Sequence, residues 1–154
     1  MNAEICFIGI GNEFRSDDAA GIAAVKKLEY LYSLKDNNAM AFFYYFQDDA
    51  VSIIPLLEQH KDIIIIDAVM SGNPPGTVHE LDLNSHILSN SDMKFSGHLM
   101  NLFDAIRLAK ELYDIHTKIT FIGIEAEEFQ HGIEMSAEVK NAVNAIAGRL
   151  GSDF

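Results

Sequence analysis

Uniformly apolar runs recur along this chain and are separated by turns and amphipathic stretches. Such runs are typical of strands that a parallel sheet buries on both faces. A separate run, Met40–Phe46, is rich in aromatic residues and also indicates a strand, whereas Thr77–Leu81 alternates as an edge strand does. The strands predicted from uniformly apolar runs are 5–8, 63–66 and 118–123.

Amphipathic patterns lie between these strands. Apolar residues at three- and four-residue spacings predict helices over about 18–33, 99–113 and 136–150, and a polar start at Gln47-Asp48-Asp49 predicts a short helix to about Leu57. Residues 84–97 are polar and irregular. Strands that alternate with helices predict a three-layer α/β sandwich, with a mostly parallel twisted sheet and helices on both faces.

The stretch from Ile5 to Gly21 contains the first cluster of candidate functional residues. Two glycines form a turn after the first strand, and Ser16-Asp17-Asp18 precede a run of small residues. Ser16 or Asp17 is predicted to cap the helix that follows. A dinucleotide-binding turn is disfavoured, because Phe14 stands where the third glycine is needed and two acids would repel phosphate.

Composition narrows the classes of partner. A chain of 154 residues fits a single domain, residues 1–154, and its net charge of −12 argues against nucleic acid and anionic membranes. Cys6 is the only cysteine, which excludes a disulfide or thiolate cluster within one chain and fits a reducing cytosol. No signal peptide or membrane-spanning stretch is recognisable, so we expect a cytoplasmic protein.

Three side chains are predicted to meet at the carboxyl edge of the sheet. Asp18 follows the first strand, Asp67 ends the third strand after four isoleucines, and His98 lies in the turn before a helix. Mixed carboxylate and imidazole ligands suit divalent ions such as zinc or nickel. Each residue also has a structural interpretation, since either acid can cap a turn and a histidine can assist a helix start. The sequence contains no nucleophile elbow and no HExxH helix.

Four blocks, spread over nearly the full length, make the chain similar to a known family. They read, in order, GIGNEFRSDDAAG, IIIIDAV, SGHLMNLFDAI and ITFIGIEAEEFQHGIEMSAEV. Together they resemble the maturation endopeptidases of nickel–iron hydrogenases. The resemblance implies a five-stranded twisted sheet and removal of a C-terminal extension from the hydrogenase large-subunit precursor after nickel insertion. It also implies that Asp18, Asp67 and His98 contact the metal and form the catalytic site, while Asp17 is a cap.

Processing after nickel insertion means that nickel is carried by the substrate. Three ligands without a thiolate should bind free ions weakly, so we expect no tightly bound metal of the enzyme's own, and we expect a monomer. Two positions depart from the family pattern: Ala19 stands where glycine is common, and Gln47-Asp48-Asp49-Ala50 replaces a glycine-rich turn. The second departure is similar to the subgroup that serves cytoplasmic, cofactor-reducing hydrogenases.

Two other functions stay open at this point, a non-catalytic metal-sensing chaperone of the large subunit and a general metallohydrolase. Whether a carboxylate or the metal drives cleavage is also open, as are the roles of four residues in one acidic stretch, Glu125, Glu127, Glu128 and His131.

Overall fold

The computed structural model describes residues 4–35, 39–47, 49–85, 97–132 and 134–154, with residues 97–100 described by their backbone alone. Within these ranges the strands are β1 (Glu4–Ile10), β2 (Met40–Phe46), β3 (Asp62–Val69), β4 (Val78–Asp82) and β5 (Lys118–Glu125). The α-helices are α1 (Ala20–Ser33), α2 (Ile54–Gln59), α3 (Gly97–Leu112) and α4 (Ala137–Asp153). Short 3₁₀ turns, Ser16–Ala19 and Val51–Ile53, precede α1 and α2.

The five strands form one sheet in the order β2-β1-β3-β5-β4. The first four strands in this order run parallel, and β4 pairs antiparallel with β5 at one edge, as its alternating sequence predicts. The predicted α/β sandwich with a mostly parallel sheet is confirmed. Because the chain passes from β1 outward to β2 and then returns to β3 on the other side of β1, the order reverses between β1 and β3. Open α/β sheets bind their ligands at such a switch point.

Two apolar layers cover the sheet. Phe7, Ile64 and Ile66 pack on one face with α1 and α4, whereas Ile8 and Ile65 pack on the other face with α2 and α3. Side chains of a strand alternate between faces, so the four consecutive isoleucines of β3 supply both layers. Complete burial of one isoleucine side chain stabilises the folded state by about 1.5–3 kcal/mol. A polar residue in this central strand would lose that stabilisation, which is why the strand is apolar on both faces.

The structure corrects several predicted boundaries. Strand β1 runs to Ile10, so Gly9 of the predicted two-glycine turn lies within the strand. Helix α1 begins at Ala20, because the preceding residues form a 3₁₀ turn, and neither Ser16 nor Asp17 caps it. Strand β3 does not end at Asp67 but continues to Val69, because β5 pairs alongside through Glu125. Strand β5 is accordingly longer than predicted.

The predicted polar cap of the second helix acts on the 3₁₀ turn before it, and α2 itself begins at Ile54 without a side-chain cap. Asp49 Oδ1 accepts hydrogen bonds from the amides of Val51 and Ser52, both at 3.2 Å, and Pro55 lies in the first turn, where it removes no helical hydrogen bond. Most of the irregular stretch predicted over 84–97 lies outside the described residues.

Candidate active site at the carboxyl edge of the sheet

The turn after β1 folds back on itself and buries Asp18. The amide of Asn12 donates to the carbonyl of Asp18 at 3.2 Å, and the amide of Asp18 donates to the carbonyl of Arg15 at 3.0 Å. Gly11 has φ +143°, and a Cβ there would lie 1.9 Å from the Asp18 carbonyl oxygen. Only glycine allows this approach. Asp18 is left 6% exposed, at the carboxyl end of the first strand.

Gly21 places this turn against the central strands. A Cβ on Gly21 would lie 2.2 Å from the Ile66 carbonyl oxygen and 2.4 Å from that of Ile10. The start of α1 therefore rests directly on β1 and β3, and the 3₁₀ turn that carries Asp18 packs against β3. Asp67 follows Ile66 in that strand. The two acids predicted from the sequence thus belong to elements that contact each other at the switch point.

Strand alternation determines the face on which Asp67 lies. Ile65 and Val69, two residues before and after it, pack with Leu102 and Phe103 of α3. Asp67 shares their face, is wholly buried, and so belongs to the layer between the sheet and α3. Helix α3 begins at Gly97, which places the backbone of His98 in its first turn.

The predicted three-residue site stays a prediction. The side chain of His98 lies outside the described part of the chain. Among the side chains that are described, no three His, Cys, Asp or Glu residues are grouped so that they could hold a metal ion. What the structure adds is that two members, Asp18 and Asp67, lie on elements that contact each other, where the strand order reverses between β1 and β3.

Asp17 is buried beside Asp18, and its capping role differs from the predicted one. Its Oδ1 accepts from the amide of Ser136 at 2.7 Å, and its Oδ2 accepts from the amides of Glu127 and Glu128 at 2.8 and 3.4 Å. The Ser136 hydroxyl donates to both oxygens, at 3.0 and 2.9 Å. Ser136 is the N-cap residue of α4, immediately before the first residue of that helix. Asp17 therefore stabilises the start of the last helix, not of its own.

Further bonds join the same turn to the segment after β5, which we name the acidic loop (residues 126–132 and 134–136). The Ser16 hydroxyl donates to the carbonyl of Glu134 at 3.2 Å, and Gly132 donates its amide to the carbonyl of Phe14 at 3.2 Å. Ser16 has φ 48°, a left-handed conformation that is costly for a serine. The bonds to the acidic loop hold this turn in shape, so Glu127 and Glu128 take part through their amides.

Glu125 is a buried acid whose role the sequence did not reveal. It accepts from the amide and hydroxyl of Ser71, both at 2.7 Å, from the amide of Gly72 at 3.0 Å, and lies 3.0 Å from His79 Nε2. Burial raises the pKa of Glu125, but the hydrogen bonds outweigh burial and hold that pKa below the ordinary value. Glu125 thereby fixes the loop that follows β3. The only sequence signal was an acid at the end of a buried strand.

The fold and these carboxylates define a class: an α/β protein with buried carboxylates at the switch point of its sheet. Comparison with known proteins identifies the family. A sequence model of the hydrogenase maturation protease family (HycI) matches residues 48–152. A Methanocaldococcus jannaschii protein named as a hydrogenase maturation protease is 31% identical, over 96% of both chains. The hydrogenase 2 maturation protease of Escherichia coli is 26% identical, over 88% of this chain and 81% of its own.

Solved structures agree with this fold. The [NiFe] hydrogenase maturation protease HybD from Thermococcus kodakarensis superposes with a TM-score of 0.74 at 24% identity, over 99% of this chain and 98% of that one. HybD from E. coli gives a TM-score of 0.71 at 20% identity, over 97% and 90%. The chain belongs to the hydrogenase maturation protease family and is a peptidase. Within the described ranges, no helix is both long and apolar enough to cross a membrane.

Proposed function

We propose that this peptidase removes the C-terminal extension of a nickel–iron hydrogenase large-subunit precursor after nickel has been inserted. In this proposal Asp18, Asp67 and His98 contact the nickel that the precursor carries. The observation that carries it is the placement of two buried carboxylates, Asp18 and Asp67, on contacting elements at the switch point of the sheet. Membership in the family supports the reaction class.

The proposed ligands, two carboxylates and an imidazole, suit a metal carried by the substrate better than a metal bound permanently by the enzyme. Carboxylate oxygens and an imidazole nitrogen bind nickel or zinc, but three such ligands leave positions open and include no thiolate. Cys6 cannot supply one at this edge, because it is buried near the amino end of β1, where it pairs with Ile63 of β3. A free ion would therefore bind weakly, whereas nickel already held by the precursor needs only supplementary ligands. The metal then acts as a signal that insertion is complete.

Cleavage of the peptide bond has two chemical routes at this site. An ionised carboxylate can act as general base toward a water molecule, or the nickel of the precursor can polarise the scissile carbonyl. Asp67 suits either role, because its pairing with Gly123 of β5 holds its backbone rigidly. Asp18 lies in a turn that many hydrogen bonds fix. Pre-organised groups of this kind lose little entropy when the substrate arrives.

The test is Asp67→Asn, which keeps the shape of the side chain but removes its charge. We expect no processing of nickel-loaded precursor, with mass spectrometry of the precursor C-terminus as the assay, and a thermal midpoint close to that of the wild type. Asp62→Asn is the matched control, because it makes the same change at the other end of β3, where Asp62 lies 3.6 Å from Lys118. The control should process normally. Trimming by Asp67→Asn at the wild-type rate would show that Asp67 is structural and that the proposed site is wrong.

A second measurement tests where the metal comes from. The purified protein should contain little nickel, and precursor without nickel should stay intact in the presence of the wild-type enzyme. A stoichiometric metal that survives a chelator would contradict delivery by the substrate and indicate a resident metal centre instead.

A further inference from the structure

We propose that Arg15 acts as a counter-charge to Asp18 that keeps free divalent ions out of the site. This inference rests on the proposed function, because it concerns how the site distinguishes nickel in a precursor from nickel in solution. Arg15 would be a positioning residue: it contacts Asp18 but not the reacting bond.

The contact between the two side chains spans the turn after β1. Arg15 Nη1 lies 3.8 Å from Asp18 Oδ2, and the side chains are 36% and 9% exposed. The backbone fixes the spacing, since the amide of Asp18 donates to the carbonyl of Arg15 at 3.0 Å. The guanidinium group is therefore the more exposed partner of a nearly buried carboxylate. An ion that approaches Asp18 from solvent meets this positive charge.

The acidic loop holds the guanidinium group in place. Arg15 Nε donates to the carbonyl of Phe129 at 3.3 Å, and the guanidinium carbon lies 6.0 Å from the centre of the Phe129 ring. This loop is in turn bound by the carboxylate of Asp17. Arginine carries its charge at every physiological pH. The positive charge beside Asp18 is thus a built feature of the turn and not a surface side chain that swings freely.

The sign of this charge is opposite to that of the protein as a whole. A net charge of −12 attracts cations generally, so a chain with 23 acids would collect divalent ions wherever its carboxylates cluster. A fixed positive charge a few ångströms from one ligand lowers the affinity for a dication at that point. Nickel within a precursor is held by the ligands of the substrate and tolerates the repulsion. A free ion has only the residues of the site.

The test is the affinity of the isolated protein for nickel chloride, measured by titration calorimetry without precursor. We expect Arg15→Gln to bind nickel roughly tenfold more tightly than the wild type, because it removes one charge from a partly exposed position near the ion. Arg15→Lys keeps the charge and should stay within about threefold of the wild type. Circular dichroism and the thermal midpoint of each variant report whether it is folded.

Arg149→Gln is the matched control for overall charge. Arg149 Nη2 pairs with Glu80 at 2.9 Å between α4 and β4, so this variant also removes one charge and one ion pair. Its nickel affinity should change less than twofold, since screening by salt removes interactions beyond about 10 Å. Adding Asp18→Asn to Arg15→Gln should abolish the gain, because the gain is expected to act through that carboxylate.

Two results would overturn the inference: Arg15→Gln with wild-type nickel affinity, or a gain that survives Asp18→Asn. If the first result comes together with a loss of processing by Arg15→Gln, a guanidinium group that acts on the scissile carbonyl is the better explanation. Failure of the proposed function gives a different result, since Asp18→Asn alone would then process precursor normally.

Discussion

Asp17→Asn tests whether the buried carboxylate beside the site is a structural element. Asparagine is the same size but is neutral, and it replaces one oxygen with an NH₂ group. Asp17 is wholly buried, and both of its oxygens accept hydrogen bonds from amides, Ser136 on one and Glu127 on the other. Asparagine can satisfy only one of these amides. Its NH₂ group would then face the other N–H, donor against donor.

The magnitude follows from these contacts. Hydrogen bonds to a charged group contribute about 1.5–3 kcal/mol each, and an amide left buried without a partner costs about 1–3 kcal/mol. Asparagine loses one strong bond and weakens the others, but its neutral side chain costs less to bury than a carboxylate. We expect a loss of about 2–4 kcal/mol in the free energy of unfolding. That is a large part of the ~5–15 kcal/mol that stabilises a typical domain.

Urea unfolding followed by circular dichroism measures this loss directly. Asp114→Asn is the control, because Asp114 is exposed and its partner His116 is exposed too, so its midpoint should not move measurably. Ser136→Ala, combined with Asp17→Asn in a double-mutant cycle, should show coupling between the two residues. An Asp17→Asn variant as stable as the wild type would refute the reasoning and return Asp17 to the status of a helix cap that asparagine replaces.

Three further predictions follow from the structure. Gly21→Ala should destabilise the protein by at least about 1–3 kcal/mol, because its Cβ would overlap the Ile66 carbonyl oxygen at 2.2 Å, and the unfolding midpoint would show it. The pKa of Glu125 is lowered in the folded protein, so this residue stabilises the fold above the ordinary glutamate pKa, and the stabilisation is lost as pH falls through the lowered value. In unfolding curves recorded over a series of pH values, Glu125→Gln should therefore lose less stability toward acid than the wild type does. Burial, assisted by the negative charge of Glu4, raises the pKa of the Cys6 thiol to about 12. Native protein should therefore resist iodoacetamide at pH 8, whereas unfolded protein should react, and fast labelling of the native state would contradict this.

Local patterns in the sequence were sufficient to predict most of the helices and strands. The apolar run before Asp67 specified a strand buried on both faces, and the aromatic run Met40–Phe46 has the bounds that the structure gives β2. The alternation of strands with helices was enough for the α/β class. Strands and helices bury side chains at a fixed period of two or 3.6 residues, so the pattern of apolar residues close together in the chain is enough to predict them.

Only the tertiary structure decided which distant groups meet. The sequence predicts that Asp17 caps the next helix, yet in the structure its partner is Ser136, 119 residues away. Glu125 likewise bonds to Ser71 across 54 residues. The placement of Asp18 against β3 depends on strand order and on the close approach at Gly21, and neither has a local period. Partners of a buried carboxylate are set by which strands become neighbours, and that choice is made by the packing of the whole sheet.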